Sequence, residues 1–537
     1  MSTKKRKSKS NSKRPPKHNP KRSSQRASIS REAVAVALTT ERDGEIPMPP
    51  DELEQLCVAI TERNDNVLRM RSEALQSAER LASNELRTWL REKRDARAVD
   101  WYPTAIEAPD DLARPSRTID YAAGEFYLQD SGSLLALAAA QADTFQLRGK
   151  LICDLCAAPG GKASGLLEAI DEPYHVDQSQ PRGFLLANEP ILTRIAPLSY
   201  NLARTGSDQY AISNEDPESL AEKLPGLFDL VLVDAPCSGQ ALVAKGKQSP
   251  TALQFTHIEL NRARQNRILA AAEKLLRPGG TLIYSTCTFA VKENEAQVQF
   301  MIDHLGLTPA PVQRLAKYQT DLLNPPNEDV LRCSYRLWPH RTACAGSFAA
   351  SLAKPLGDEP PDYDRDRKEA SWRRSTTSRS RDQSMVPREA IDQLPFLVRP
   401  DDPRHHLQLR DWIIDATAPD APDWVQEESF RGPEIAHRAG STWKPSHASA
   451  IRHTAAIEGL PSIEVDDETA LKYLTGETIP IDNPNSPSAD GASDGASDDA
   501  PNQTGWQIVR HRGRPLGWIK SNGRIGKNHL ARHARMQ

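Results

Sequence analysis

Between residues 150 and 304, short apolar runs alternate regularly with stretches that have helical periodicity. The runs predict strands at 150–156, 183–188, 209–213, 229–234 and 281–287, and the periodic stretches predict helices at about 162–170, 191–204, 257–276 and 292–304. Such alternation is typical of a parallel, doubly wound α/β sheet. Residues 330–353 are expected to complete the sheet as a returning pair of strands.

Two of the predicted strands end beside a cysteine. The fourth run stops at Asp234 and is followed by a turn that holds Cys237, and the fifth run ends at Cys287. Because the carboxyl ends of parallel strands form the edge where open α/β sheets bind ligands, we expect these three side chains to lie together. One free cysteine is usually a small buried hydrophobe. Two cysteines beside an acid at a ligand-binding edge favour a catalytic centre.

The first predicted strand leads into a turn of small residues, Asp154-Leu-Cys-Ala-Ala-Pro-Gly-Gly-Lys162. Its glycines allow the backbone to approach a ligand closely, and the helix that follows offers its N-terminus to an anion such as a carboxylate. Glu189 ends the second strand, where an acid can accept hydrogen bonds from ribose hydroxyls. Asp216, just past the third strand, can accept one from an adenine amino group. Together they predict a bound adenosine-type cofactor.

Cys153 and Cys156 have the spacing of a metal or redox pair. Residues three apart on a strand face opposite sides of the sheet. The sequence offers no second pair or histidine cluster to complete a zinc site. We therefore interpret both as structural thiols and expect no metal.

The N-terminal part of the chain divides into three predicted segments. Residues 1–45 are expected to be a disordered basic tail, and residues 46–124 a helical segment. Within it, apolar residues at helical spacing from Pro50 to about Ala96, Leu68 among them, predict two or three amphipathic helices, and a loop-rich stretch to about Gly124 follows. The main domain is predicted at 125–354, with a short extended segment at 126–130 and a helix capped by Ser131 that runs to about Ala142.

The C-terminal part reads as a linker and a second folded unit. Residues 355–388 are rich in Pro, Asp, Arg and Ser, which predicts a disordered linker. Apolar residues return in 389–537, with a flexible acidic insertion expected at 482–504. Residues 505–510 and 516–520, joined by a Gly-Arg-Pro turn, predict a hairpin that rejoins the folded unit.

Charge is distributed unevenly although the net charge is only −3. Residues 1–30 hold eleven Lys or Arg and no acid, and the last 38 residues hold eight and no acid. Such segments attract polyanions, nucleic acid above all, although a solvated tail is the alternative for the first. Seven scattered cysteines, with neither a signal peptide nor a membrane-spanning run, favour a reducing cytoplasm.

Four motifs, in this order, resemble those of the RNA (cytosine-5)-methyltransferases of the RsmB/Sun/nucleolar-protein family. They are the 154–162 turn, Asp234-Ala-Pro-Cys-Ser-Gly239, the stretch from Arg277 to Thr288 and Glu293-Asn-Glu295. Arg336-Leu-Trp-Pro-His340 is similar to the family's closing strands, so the resemblance covers about 125–353. The tail resembles, more weakly, the PUA-like C-terminal region of RsmF-type members.

The resemblance implies a Rossmann-like domain that binds S-adenosylmethionine, followed by a small, β-rich, PUA-like RNA-binding domain. It implies that Cys287 is the nucleophile, that Cys237 assists product release and that Asp234 contacts the target cytosine. The cofactor site implied by the resemblance comprises Cys156, Ala157, Ala158, Pro159, Gly160, Gly161, Lys162, Glu189, Asp216 and Asp234.

The expected function is cytosine-5 methylation of RNA, with ribosomal RNA preferred and transfer RNA as the runner-up. A DNA cytosine methyltransferase would place its nucleophile in the Pro-Cys motif, so the second cysteine, Cys287, speaks against that alternative. A ribosome-assembly factor that only binds RNA has no need of Asp234, Cys237 and Cys287 together. The specific RNA and the oligomeric state stay open.

Overall fold

The computed structural model contains four β-sheets. It describes residues 49–61, 66–71, 75, 79, 81–93, 98–108, 112, 114–176, 182–243, 248, 252, 254–320, 327–342, 344–357, 383–394, 406–409, 412–415, 430–452, 460–481 and 504–536. The predicted basic tail (1–45), most of the linker and the acidic insertion up to residue 503 lie outside the described residues. Within the described part, no helix is both long and apolar enough to cross a membrane.

The N-terminal segment forms an antiparallel sheet rather than a helical layer. Its helices are α1 (Pro50–Thr61), α2 (Asn84–Lys93) and α3 (Ile119–Ala122), and its strands, in the order β2-β3-β1-β4, are β1 (Asn66–Met70), β2 (Ala98–Val99), β3 (Tyr102–Glu107) and β4 (Phe126–Asp130). The prediction of two helices is confirmed, but Leu68 lies in a strand, so the helical prediction is wrong there. β1 pairs with β3 on one side and β4 on the other, and this pairing overrides the helical spacing. Likewise, β3 lies within the predicted loop-rich stretch.

The extended segment at 126–130 is confirmed as β4, but the cap that follows is not Ser131. The carboxylate of Asp130 accepts the backbone N–H of Gly132 at 2.9 Å. The chain then makes a 3-10 turn over Ser131–Ser133 before α4 (Leu134–Ala139) begins. The α-helix therefore starts three residues later than Ser131 and ends before Ala142.

The central sheet has the predicted parallel core. Its strands are β5 (Leu151–Asp154), β6 (Phe184–Asn188), β7 (Tyr210–Ser213), β8 (Phe228–Asp234), β9 (Leu276–Thr286), β10 (Thr308–Pro309), β11 (Ser334–Leu337), β12 (Ser347–Ala353) and β16 (Phe430–Arg431). The order is β10-β12-β9-β8-β5-β6-β7-β16, and β11 pairs with β12. The five predicted strands and the returning pair are confirmed, and β9 begins five residues earlier than expected because residues 276–280 extend it.

Helices cover both faces of this sheet. They are α5 (Gly161–Val176), α6 (Ile195–Ala203), α7 (Pro217–Lys223), α8 (Phe255–Leu275), α9 (Glu295–Leu305) and α10 (Glu328–Cys333). α5 and α6 contribute to one buried apolar cluster, and α7, α8 and α9 contribute to the other. Such a three-layer arrangement confirms the doubly wound α/β class.

The strand order reverses beside β5. From β5 the chain builds outward through β6 and β7 on one side, and through β8 and β9 on the other. Open α/β sheets bind ligands at such a switch point, at the carboxyl ends of the strands. The turn after Asp154 and the turn after Asp234 both lie there.

Residues 383–536 build two further five-stranded sheets. One contains β13 (Gln383–Met385), β14 (His406–Leu409), β15 (Trp412–Asp415), β17 (Glu434–Ala439) and β18 (Thr442–Pro445), with α11 (Arg388–Gln393) and α12 (His447–Ala450) nearby. The other, called the C-terminal sheet below, contains β19 (Ser462–Glu464), β20 (Ile479–Pro480), β21 (Gly505–His511), β22 (Arg514–Ser521) and β23 (Ile525–Asn528), with α13 (Asp467–Thr475).

The hairpin prediction is confirmed, because β21 and β22 pair antiparallel. The hairpin pairs with β19 and β23, whereas β13, β14, β15, β17 and β18 form a sheet of their own. β13 also falls inside the predicted linker, so that prediction is wrong for residues 383–385. The domain limits 1–45, 46–124, 125–354, 355–388 and 389–537 stay a prediction.

The C-terminal sheet packs against the N-terminal part of the chain. Arg514 of β22 forms an ion pair with Glu125 at 2.6 Å, and both side chains are buried. Ile119 of α3 joins the apolar cluster formed by Tyr473, Leu516 and their neighbours. Arg514, from the acid-free C-terminal stretch, therefore has a structural role.

Candidate active site

A cavity of about 560 Å³ opens at the carboxyl edge of the central sheet, at the switch point. Its lining includes eight of the residues singled out in the sequence: Cys156, Ala158, Pro159, Glu189, Asp216, Asp234, Cys237 and Cys287. The volume is in the range of small-molecule and cofactor sites. The topology therefore brings both thiols and all three strand-end acids to one cavity.

Four residues of the expected cofactor site do not line the cavity: Ala157, Gly160, Gly161 and Lys162. Ala157, Gly160 and Gly161 shape the turn itself, and Lys162 pairs with Asp234. The Ala157 N–H donates to the Asn188 carbonyl at 2.8 Å. Gly160 has a φ of +109°, and a Cβ there would lie 3.0 Å from the Cβ of Asn201, so the turn requires glycine at this position.

Arg69 fixes the first turn of α5 from the neighbouring N-terminal sheet. This buried arginine of β1 donates to the Gly161 carbonyl at 2.6 Å and to Ser164 Oγ at 2.8 Å, and it forms an ion pair with Glu168 at 3.1 Å. Sequence reasoning missed this residue, because these three partners lie more than 90 residues away in the sequence. The antiparallel sheet is therefore part of the frame of the candidate cofactor site.

Glu189 is buried, and its carboxylate already has two partners. One oxygen accepts the Ile191 N–H at 2.9 Å, and the other lies 2.9 Å from a guanidinium nitrogen of Arg194. Arg194 also donates to the Ala158 carbonyl at 2.6 Å and so connects the acid to the turn after β5. Each carboxylate oxygen can accept a second hydrogen bond, so Glu189 can still bind a hydroxyl in the cavity.

Asp216 has a structural function as well as a place in the cavity wall. It is the N-cap of α7 and accepts the Glu218 N–H at 3.1 Å. N-caps commonly use this residue type. Its position is therefore fixed by the helix that it begins.

Asp234 lies beside Lys162, with 2.7 Å between a carboxylate oxygen and Nζ. Burial by itself lowers the pKa of Lys162, but the charge of Asp234 and the hydrogen bond to it outweigh burial, so the net shift is upward. Lys162 therefore stays charged and orients Asp234.

Asp154, one strand away, is fully buried, and burial together with the charge of Asp234 raises its pKa to about 8.

The two thiols of the cavity are in direct contact. The Sγ atoms of Cys237 and Cys287 lie 3.4 Å apart, and both residues are half-buried. The hydrogen bond with Cys287, followed by burial, raises the pKa of the Cys237 thiol. Because a thiolate is the reactive form of cysteine, the protonated Cys237 is suited to donating a hydrogen bond rather than to attack.

The loops that carry the two cysteines are held by consecutive residues, Glu293 and Asn294. The buried Glu293 carboxylate accepts the Ser238 N–H at 2.9 Å and the Ser238 hydroxyl. Asn294 contacts the Thr286 hydroxyl at 2.5 Å and donates to the Thr288 carbonyl at 3.0 Å, so it brackets Cys287. We call these two residues the loop clamp. The motif by itself did not reveal that these residues hold the cysteine loops.

Glu295, the third residue of the motif, holds the returning strand. Both of its carboxylate oxygens lie 2.6 Å from the buried guanidinium of Arg336 on β11. Buried, bidentate pairs of this kind fix geometry strongly. The motif therefore joins three structural elements around the cavity.

Helix α1 forms a wall next to Cys287. Leu56, Cys57 and Ile60 of this helix are buried with Phe289 and Trp338, and Cys287 packs against the same cluster. The helix is anchored at its start by Glu52, which pairs with Arg341. In the part of the chain that is described, no group of three or more His, Cys, Asp or Glu side chains is arranged to hold a metal ion.

Comparison with known families agrees with this geometry. Residues 144–353 match the 16S rRNA methyltransferase RsmB/F family, and residues 460–536 match the methyltransferase RsmF PUA domain. Residues 144–353 therefore form a domain of the RsmB/F methyltransferase family. The recognition made from the motifs is thereby confirmed, and the second match covers the C-terminal sheet.

Curated relatives carry the name ribosomal RNA small subunit methyltransferase F. The protein from Cronobacter sakazakii is 32% identical over 270 residues, which is 49% of this chain and 52% of that protein. The protein from Salmonella newport is 37% identical over 195 residues, 36% of this chain and 38% of that protein. The chain thus matches about half or less of the length of these relatives.

Solved structures with a similar fold include two from Pyrococcus horikoshii. A methyltransferase homolog protein has a TM-score of 0.46 at 22% identity and matches 60% of this chain and 93% of its own. NSun6 has a TM-score of 0.43 at 18% identity and matches 60% of this chain and 98% of its own. Both scores are below 0.5, so the family assignment does not rest on them.

Proposed function

We propose that this protein transfers a methyl group from S-adenosylmethionine to carbon 5 of a cytosine in RNA, with Cys287 as the nucleophile. Small-subunit ribosomal RNA is the preferred substrate, in line with the name of the relatives. The observation that carries the proposal is the pair of thiols in contact, 3.4 Å apart, in the same cavity as Asp234.

The cavity fits the cofactor in size and in its polar groups. Glu189 would accept hydrogen bonds from the ribose hydroxyls, Asp216 would lie by the adenine, and the turn at Cys156, Ala158 and Pro159 would line the site. When bound there, S-adenosylmethionine supplies the electrophilic methyl group. The rest of the turn, Ala157, Gly160, Gly161 and Lys162, would complete the cofactor site behind this lining.

Covalent catalysis explains why the reaction needs a thiol. Carbon 5 of cytosine is too weak a nucleophile to accept a methyl group directly. Addition of the Cys287 thiolate at carbon 6 forms a C–S bond and makes carbon 5 nucleophilic, so that one difficult step becomes two easier ones. The target base must leave its stack to reach the cavity.

Asp234 would act during the addition of Cys287, and Cys237 would act when the adduct breaks down. Asp234, oriented by Lys162, would hold a proton at ring nitrogen 3, which neutralises the negative charge that develops there during attack. After methyl transfer, carbon 5 loses its proton to a base and the C–S bond breaks. The thiol of Cys237, which keeps its proton, can donate a hydrogen bond to the departing Cys287 sulfur.

The RNA partner is supported by the match of residues 460–536 to the PUA domain of RsmF. Bisulfite sequencing of total RNA from cells with and without the gene tests the substrate. We expect one or a few cytosines of small-subunit ribosomal RNA to lose protection when the gene is absent. Loss in transfer RNA alone would favour the runner-up substrate, and no loss anywhere would favour a binding protein without catalysis. A cytoplasmic location stays a prediction.

A further inference from the structure

The acid-free C-terminal stretch contains eight basic residues, and the fold separates them into groups with different surroundings. Arg514 is buried in its ion pair with Glu125, and Arg512 lies 3.5 Å from Asp467. By contrast, the structure gives Lys520 and Lys527 no carboxylate within 4.0 Å among the described residues. Both lysines are exposed.

Strand register places these two lysines side by side. Lys520 of β22 is the direct antiparallel partner of Lys527 of β23, and on its other side it is the direct partner of Trp506 of β21. Directly opposed residues project from the same face of a sheet. Trp506, Lys520 and Lys527 therefore form a continuous row across three strands, which we call the lysine row.

The contacts around the row position Lys520 and favour the neutral form of the nearby His529. The Lys520 ammonium lies 5.5 Å from the centroid of the Trp506 ring, a cation–π distance. The His529 ring packs edge-to-face on Trp506, with 4.5 Å between centroids. Burial and the charges of Lys444, Lys527 and Lys520 lower the pKa of His529 to about 4. His529 is therefore neutral at pH 7, and the three lysines define a positive surface.

Like charges that face each other across a pair of strands destabilise the sheet. An anion between them reverses the sign of this interaction, and lysine is a common phosphate ligand in proteins. Trp506 is half-buried and carries Lys520 over its ring, so it positions the cation. The row is therefore suited to an oxyanion on the surface of the sheet.

We propose that Lys520 and Lys527 together bind a backbone phosphate of the RNA substrate at a point outside the catalytic cavity, with Lys444 contributing to the field. This inference rests on the proposed function for its ligand. The site contributes affinity and orientation that are independent of base sequence, since phosphate contacts position a nucleic acid without reading it.

The test compares the full chain with the double variant Lys520→Gln/Lys527→Gln. Binding to a transcript of small-subunit ribosomal RNA is measured from about 50 to 200 mM salt. Loss of the one phosphate that the two lysines bind should reduce the slope of log affinity against log salt by about 0.7, and weaken binding by about fivefold at 0.1 M salt. The control is Lys472→Gln, an exposed lysine of the same unit that is paired with Glu468 at 2.7 Å. The control should leave the slope unchanged.

A second variant separates binding from folding. Lys527→Glu replaces the repulsion with an attraction to Lys520, so we expect a higher Tm without RNA together with weaker RNA binding. A wild-type salt slope in the double variant, or unchanged RNA affinity in Lys527→Glu, would overturn the proposal. At saturating RNA the kcat of the double variant should equal that of the wild type, with a raised KM.

The two proposals fail in different ways. If the wild type methylates RNA but the double variant keeps the full salt slope, only the lysine row is wrong. If the slope falls as expected but the wild type methylates no RNA, the phosphate site stands and the proposed reaction is wrong.

Discussion

The cavity of the central sheet and the lysine row of the C-terminal sheet use charge in opposite ways. In the cavity, opposite charges are paired, as in half-buried Lys162 with half-buried Asp234 and buried Glu189 with Arg194. On the lysine row, two cations are exposed, and like charge faces like charge. The first arrangement fixes the positions of reacting groups, and the second leaves charge available to a partner.

This difference predicts how substitutions in the two regions should affect the protein. Buried, hydrogen-bonded groups are strongly coupled to their neighbours, so a substitution alters geometry as well as charge. Exposed charges are screened by salt, so a substitution there changes affinity gradually and in a salt-dependent way. Substitutions in the cavity test the first expectation, and the salt titration of the lysine-row variant tests the second.

The largest expected effect separates the two thiols. Cys287→Ala should reduce methylation by at least about a thousandfold and abolish the covalent RNA complex, because the attacking atom is gone. Cys237→Ala should still form the adduct but fail to release it. Denaturing electrophoresis with RNA and S-adenosylmethionine checks both, and Cys333→Ala, a buried cysteine outside the cavity, is the control. An adduct that persists in Cys287→Ala and is absent in Cys237→Ala would reverse the roles.

The second effect concerns the loop clamp. Glu293→Gln places an amide where the carboxylate now accepts from Ser238 and Gln265, and losing a buried charged hydrogen bond costs about 1.5–3 kcal/mol. We expect kcat to fall by about 10- to 100-fold with little change in the KM for S-adenosylmethionine. Steady-state kinetics measure the split. Glu259→Gln, a half-buried acid on α8, is the matched control, and a rise in KM alone would contradict the clamp.

A third effect compares two acids of the cavity wall. Glu189→Ala should weaken cofactor binding by about 1.5–3 kcal/mol, because it removes hydrogen bonds to a charged acceptor. Asp216→Ala should cost about 1 kcal/mol, the value for a single ordinary hydrogen bond. Titration calorimetry with S-adenosylmethionine measures both. Equal affinities for the wild type and Glu189→Ala would remove that acid from the cofactor site.

The last effect is a dependence of stability on pH. The folded pKa of Asp154 is about 8, above its ordinary value of 3.8, so the folded state holds a proton that the unfolded state releases. Its contribution is fully present below pH 3.8 and is lost as the pH rises through about 8. Between pH 6 and pH 7 the free energy of unfolding should fall by about 1.4 kcal/mol relative to Asp154→Asn. Urea titrations of both proteins at these pH values check it, and parallel curves would contradict it.

The sequence by itself determined the doubly wound sheet and the meeting of its functional residues. Each strand of 150–286 is an apolar run with its own length and ends, and a parallel sheet places all carboxyl ends at one edge. Asp234, Cys237 and Cys287 could therefore be assigned to one cavity before any coordinate was known. The motifs then identified the family, since their order and spacing are local properties of the chain.

Only the tertiary structure decided what depends on partners far apart in sequence. Leu68 has helical spacing in the sequence but lies in strand β1, because β1 pairs with a strand on each side. Lys162 pairs with Asp234, 72 residues further along the chain, and Glu293 holds a loop 55 residues away. The register of β22 and β23, not composition, places Lys520 opposite Lys527. Such contacts depend on which strands become neighbours. Strand neighbours are selected by how well the apolar residues of the whole chain are buried, and a local sequence pattern does not contain that information.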